Sequence, residues 1–97
     1  MNFEIAPKST EIQANWDNAK LYCFSLNING KTGWRLPTKD ELDEIYQSEN
    51  DFRNTFYWSS TVGNGNGALA QSFRTGKQYD ASKDSGGGHV RAIRDLT

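Results

Sequence analysis

Ninety-seven residues with a formal charge of −1 leave room for one domain, spanning 1–97, and exclude a second core. Eleven basic against twelve acidic side chains fall far short of the basic stripe that nucleic acid needs, and the absence of any long apolar run excludes membrane insertion by a helix. Cys23 is the only cysteine, which excludes an internal disulfide and a thiolate metal cluster. A folded chain of this size exposes about 5,600 Å², so the core is thin and must be built largely from aromatic side chains.

Phe3 and Ile5 alternate with Asn2 and Glu4, predicting a first strand that Pro7 ends. The N-terminal stretch from Met1 lacks the basic region and apolar run of a secretory signal. Asn15 is placed to cap a helix whose inward face is Trp16, Ala19, Cys23 and Leu26, spaced at three, four and three residues. Ile12 extends this face if the helix begins earlier, and Asn29-Gly30 is the expected stop. Trp34 and Leu36 point one way in a short extended segment before Pro37. Thr38 with Glu41 three residues on forms a capping box for a second helix, with Leu42, Ile45 and Tyr46 inward. Asp40, Glu41, Asp43 and Glu44 read as solvated charges that complement its dipole.

Beyond residue 54 the period changes to two. A strand over 55–61 sets Phe56 and Trp58 opposite Tyr57 and Ser59, and Asn64-Gly65-Asn66-Gly67 turns the chain into a return strand over 68–73. Thr75-Gly76 makes another turn, residues 80–88 read as a polar loop ending in three glycines, and 89–96 as one last strand. Two helices followed by antiparallel strands predict an α+β fold. The single histidine, His89, has no metal-ligand partners by sequence, and Ser59-Ser60 lacks a nucleophile elbow. Asp80 and Asp84 lack calcium-loop spacing. The residues therefore indicate a protein that is not an enzyme and carries no cofactor or metal.

The block Gly33-Trp34-Arg35-Leu36-Pro37-Thr38, with Trp16 and Cys23 before it and Tyr57-Trp58-Ser59-Ser60-Thr61 and Val90-Arg91-Ala92-Ile93-Arg94 after it, resembles the family of the C-terminal domain of Legionella collagen-like protein. The resemblance covers nearly residues 14–95. It implies a C-type-lectin-like fold: two helices on a small twisted antiparallel sheet, chain ends close together, and a loop-rich face that binds glycans or proteins. Relatives occur on bacterial surface proteins and in phage-encoded proteins, which suggests a virion-associated or cell-surface context. The Glu-Pro-Asn, Gln-Pro-Asp and Trp-Asn-Asp triplets of calcium-dependent lectins are absent here, as are paired cysteines.

These readings converge on a non-enzymatic binding or assembly domain, structural or adhesive, acting as multiple copies with itself or a larger protein assembly as partner. The alternative is a calcium-independent carbohydrate receptor. Recognition is expected at residues 62–68 and 80–88, since loops on a rigid scaffold change side chains without rebuilding the fold. The expected contacts are Asn64, Asn66, Gln71, Arg74, Tyr79, Ser82, Lys83, Asp84 and Arg91, with Tyr57 added in the carbohydrate reading. Arg35, Arg91 and Arg94 can serve either as internal clamps or as ligand contacts; strand parity turns Arg94 inward and Arg91 to the opposite face.

Overall fold

A computed structural model describes residues 2–96; Met1 and Thr97 lie outside the described residues. The elements run β1 (Phe3–Ile5), a single 3-10 turn (Lys8–Thr10), β2 (Ile12–Ala14), α1 (Trp16–Ser25), β3 (Trp34–Arg35), α2 (Lys39–Ser48), β4 (Phe56–Val62), β5 (Gly67–Ser72), β6 (Gln78–Ser82), β7 (Gly88–Val90) and β8 (Ile93–Asp95). They form two sheets, one of order β1-β8-β3 and one of order β2-β7-β4-β5-β6. This is an α+β architecture, as the pattern of helices and strands predicts. The sheets are not purely antiparallel, however, because β4 and β7 run parallel with Tyr57 opposite His89.

Local chemistry accounts for both helices. Asn15 accepts a hydrogen bond from the Asn18 N–H, 2.9 Å away, and starts α1. Thr38 and Glu41 bond reciprocally as a capping box, the Thr38 N–H donating to Glu41 Oε1 at 2.8 Å. Trp16, Ala19 and Cys23 are buried on α1, and Leu42 and Ile45 on α2. The first helix ends at Ser25, four residues before the expected stop. Asn29 and Gly30 instead take φ of 54° and 86° and close a tight turn in which Ile28 and Lys31 exchange two 3.0 Å backbone bonds.

Strand β4 organises the core because consecutive side chains point to opposite faces of a sheet. Trp58 joins a cluster with Trp16, Ala19, Cys23, Trp34, Leu36, Ala70 and Val90. Its neighbour Tyr57 joins Phe3, Leu42, Ile45, Phe73 and Ile93. The large sheet is therefore covered by α1 on one face and α2 on the other. Trp58 is also pinned by polarity, its indole N–H donating to the Ala14 carbonyl at 2.9 Å. A Cβ on Gly88 would lie 2.1 Å from that indole nitrogen. The last residue of the glycine run is thus fixed by close packing and belongs to β7, not to a loose loop.

Three further expectations are corrected. Ile12 lies in β2, paired with Val90, and does not extend α1. The loop expected over 80–88 begins later, because β6 continues through Ser82 along β5. The expected strand over 89–96 is two strands in two different sheets, broken at Arg91-Ala92. That break reverses the parity of the arginines: Arg91 becomes buried while Arg94 stays half-exposed. The chain's two ends meet where Phe3 pairs with Asp95.

Candidate functional site

The β4–β5 hairpin and the segment after β6 meet at one end of the large sheet. The hairpin closes with Gly67 N–H donating to the Asn64 carbonyl at 3.0 Å and Gly63 N–H donating to the Gly67 carbonyl at 2.9 Å. Asp80, on the neighbouring strand, accepts from the Asn64 N–H at 2.7 Å. A Cβ on either Gly63 or Gly67 would lie 2.0 Å from the Asp80 carboxylate. The two glycines therefore admit an acceptor into the mouth of the turn, and the carboxylate holds its backbone. Next along the chain, the Lys83 N–H donates to the Asn66 carbonyl at 3.1 Å, and the Lys83 carbonyl accepts from the Trp16 N–H at 3.0 Å. One connected surface results, anchored to the start of α1.

Lys83 contributes more than backbone. Its Nζ lies 4.6 Å from the centre of the Trp16 ring, and Lys20 Nζ lies 3.8 Å from it. Two cations over one indole concentrate positive charge beside the loop. Asp84 is exposed and donates its backbone N–H to the Ser82 hydroxyl at 3.3 Å. The loop end thus offers cations, a carboxylate, a hydroxyl and two exposed amides, with the exposed Val62 beside them at the end of β4.

The structure brings Asn64, Asn66, Ser82, Lys83 and Asp84 together and separates the other expected contacts from them. Arg74 lies in the turn at the far end of the β5–β6 hairpin. Tyr79 is exposed on β6, opposite Ala70, with its ring edge against Phe56. Gln71 and Arg91 point inward and are corrected as ligand contacts. Gln71 is fully buried, donating to Asp43 at 2.9 Å and to the Gly76 carbonyl at 3.1 Å. Asp43 is thereby drawn into internal bonding, as is Glu41, so only Asp40 and Glu44 of the expected solvated charges remain exposed. Tyr57, the additional carbohydrate contact, is also buried.

Arg91 is the centre of a buried polar network at the opposite side of the sheet. Its guanidinium donates to the Ala6 carbonyl at 2.6 Å, to Glu11 at 2.7 Å, and to the Asp51 carbonyl and carboxylate at 3.0 and 3.1 Å. Glu11 also accepts from the Tyr57 hydroxyl at 2.9 Å and faces Arg53 at 3.3 Å. Burial pushes the Tyr57 phenol upward, and its bond to the Glu11 carboxylate adds to that. Arg35 is held by Glu41 and Asp95, each at 2.8 Å, and Arg94 by Glu4 at 2.7 Å. All three arginines thus make internal bonds.

His89 sits beside this network, its ring 5.6 Å from that of Tyr57. Its Nδ1 is buried without a partner among the described residues. Burial lowers its affinity for a proton, Glu11 opposes that shift, and Arg53 adds to it. Cys23 is buried on α1, where burial pushes the thiol up to about 12. Among the described residues, no group of three or more His, Cys, Asp or Glu side chains is arranged to hold a metal ion. Sequence reasoning missed Glu11, whose partners lie 40 to 80 positions away, and missed the loop-holding role of Asp80. The signal for Asp80 was the pair of glycines flanking Asn64-Gly65-Asn66.

The chain matches the Lcl C-terminal domain family over residues 4–94. It belongs to that family, named for Legionella collagen-like protein. The Lcl C-terminal domain is a non-catalytic structural domain. Comparison with curated proteins gives no match. No helix among the described residues is long and apolar enough to cross a membrane.

Proposed function

We propose that this chain is a C-type-lectin-like binding and assembly domain, structural or adhesive in role, which works in multiple copies through the loop end of its large sheet. Asn64, Asn66, Ser82, Lys83 and Asp84 form the recognition surface. The observation that carries this reading is the Lys83–Asn66 backbone bond at 3.1 Å. It joins two segments that contribute no large side chain to either buried cluster, so their shape is free to serve recognition. Family membership supports the non-catalytic, structural or adhesive class. Repetition of a small polar surface on several copies converts weak contacts into avidity.

The partner is another protein surface, in a virion or on a cell, with a glycan as the second ligand class. Gel filtration with light scattering tests the assembly: multimers at high concentration support it, and a strict monomer that recovers no protein partner from its native source contradicts it. A glycan array probed with and without a chelator separates the ligand classes. Chelator-resistant glycan binding favours the carbohydrate reading, and silence across diverse glycans favours protein.

A further inference from the structure

Asn29, Asn64 and Asn66 are each followed by glycine. At such a step the glycine nitrogen can attack the asparagine side chain, because no glycine side chain shields it. The structure treats the three steps differently. The Gly30 N–H donates to Asn27 Oδ1 at 2.9 Å. The Gly67 N–H donates to the Asn64 carbonyl at 3.0 Å, and Gly67 is buried at the start of β5, paired with Ser82. The Gly65 N–H has no acceptor among the described residues, and Asn64 is exposed with an unbonded side-chain amide. A nitrogen held in a hydrogen bond must first open locally before it can react, and that opening has a free-energy cost.

We propose that Asn64 is a covalent modification site, where spontaneous deamidation yields aspartate and isoaspartate while Asn29 and Asn66 are protected by the fold. The Gly65 amide nitrogen gives its proton to solvent and bonds to Asn64 Cγ. The tetrahedral adduct collapses, breaks the Asn64 Cγ–Nδ2 bond and releases Nδ2 as ammonia, which takes its third proton from water. The resulting succinimide ring is opened by one water molecule at either carbonyl. Attack at one restores the ordinary backbone as aspartate; attack at the other leaves isoaspartate, with the main chain lengthened by the side-chain methylene. The net change is one water consumed and one ammonia released, with no oxidant or reductant.

The product acts on the loop directly. A new carboxylate appears on the residue whose backbone N–H the Asp80 carboxylate holds at 2.7 Å, and two like charges on such neighbours repel. The isoaspartate form also lengthens the chain between that bond and the 2.9 Å Gly63–Gly67 closure. The hairpin mouth must then give up one of the two. Modification therefore loosens the end of the sheet that carries recognition. Only this last consequence rests on the proposed function; the site of reaction does not.

The test ages the folded protein in mildly alkaline buffer and follows each Asn–Gly peptide by mass spectrometry, with enzymatic methylation marking isoaspartate. Conversion at Asn64 is expected roughly tenfold faster than at Asn29 or Asn66, the factor that a local opening cost of about 1.4 kcal/mol imposes. In denaturant the three rates should converge. Asn27→Ala frees the Gly30 N–H and should bring Asn29 up toward the Asn64 rate. Equal rates in the folded protein overturn the proposal, as does an ordering that persists in denaturant. An unchanged Asn29 rate in folded Asn27→Ala protein overturns it as well.

Discussion

The two sides of the large sheet are each fastened by a carboxylate, and the two carboxylates differ in what their loss would cost the fold. On the β2–β7 side, the Glu11 side chain is 2% exposed and shared between Tyr57, Arg91 and Arg53. On the β6 side, Asp80 is exposed and holds one backbone N–H of the hairpin. A buried charge bonded to several elements cannot lose a partner without leaving another charge stranded in low dielectric. An exposed carboxylate that loses its single bond is simply rehydrated. The first side is therefore where the fold is fixed, and the second is where residues can vary at little cost in stability.

The largest effect should come from Arg91→Ala, which strands the buried Glu11 carboxylate and is expected to cost about 3–5 kcal/mol. Denaturant titration measures this. A loss under about 1 kcal/mol would break the contrast, since it would place the network among ordinary surface ion pairs. Gly88→Ala comes next: its Cβ must displace the Trp58 indole from the Ala14 carbonyl, an overpacking worth about 1–3 kcal/mol. Thermal melting and tryptophan fluorescence report it together. Asp80→Ala should cost about 1 kcal/mol or less, yet speed amide exchange at Asn64 and weaken assembly. The comparison fails if this exposed site proves as costly to stability as Arg91.

The smallest effect is on pH dependence. Burial holds the His89 imidazole below its ordinary value of 6.5, so the unfolded chain takes up the proton more readily. The contribution to stability is complete above 6.5 and is lost as pH falls through the lowered folded-state value. Replacing His89 by Gln should flatten stability across that window, as followed by melting at a series of pH values. An unchanged pH profile would remove His89 from the acid response. The Cys23 thiol, pushed up to about 12, should resist thiol reagents until the protein unfolds.

The helices were legible in the sequence because their signals are local. Asn15 and Thr38 act on N–H groups three residues away, well inside any window read along the chain. The alternation of Phe56, Tyr57, Trp58 and Ser59 likewise announces a strand, although both its faces are buried. Strand β2 was hidden because its three residues are specified by pairing with β7, more than 70 positions distant. The change of sheet at Arg91 was hidden for the same reason: its acceptors at Ala6, Glu11 and Asp51 lie 40 to 85 positions away. An edge strand with four exposed residues in five, as β6 is, carries no hydrophobic alternation, so its last part, from Asp80, reads as loop. At the candidate site, the paired loops were legible from their polar and glycine composition. The inward turn of Gln71 was not, because it depends on Asp43 reaching across from α2.

The most direct test of recognition at the loop end compares three variants by light scattering and thermal melting over a range of concentrations. One replaces Ser82, Lys83, Asp84 and Ser85 with alanine, the second replaces Asn64 and Asn66 with glycine, and the third reverses the charges of Asp40 and Glu44 on α2. Melting temperatures of both loop variants should stay near that of the parent, while assembly weakens in at least one and persists in the helix variant. Full assembly in both loop variants, together with its loss on charge reversal in α2, would put the recognition face on the helical side and contradict the account.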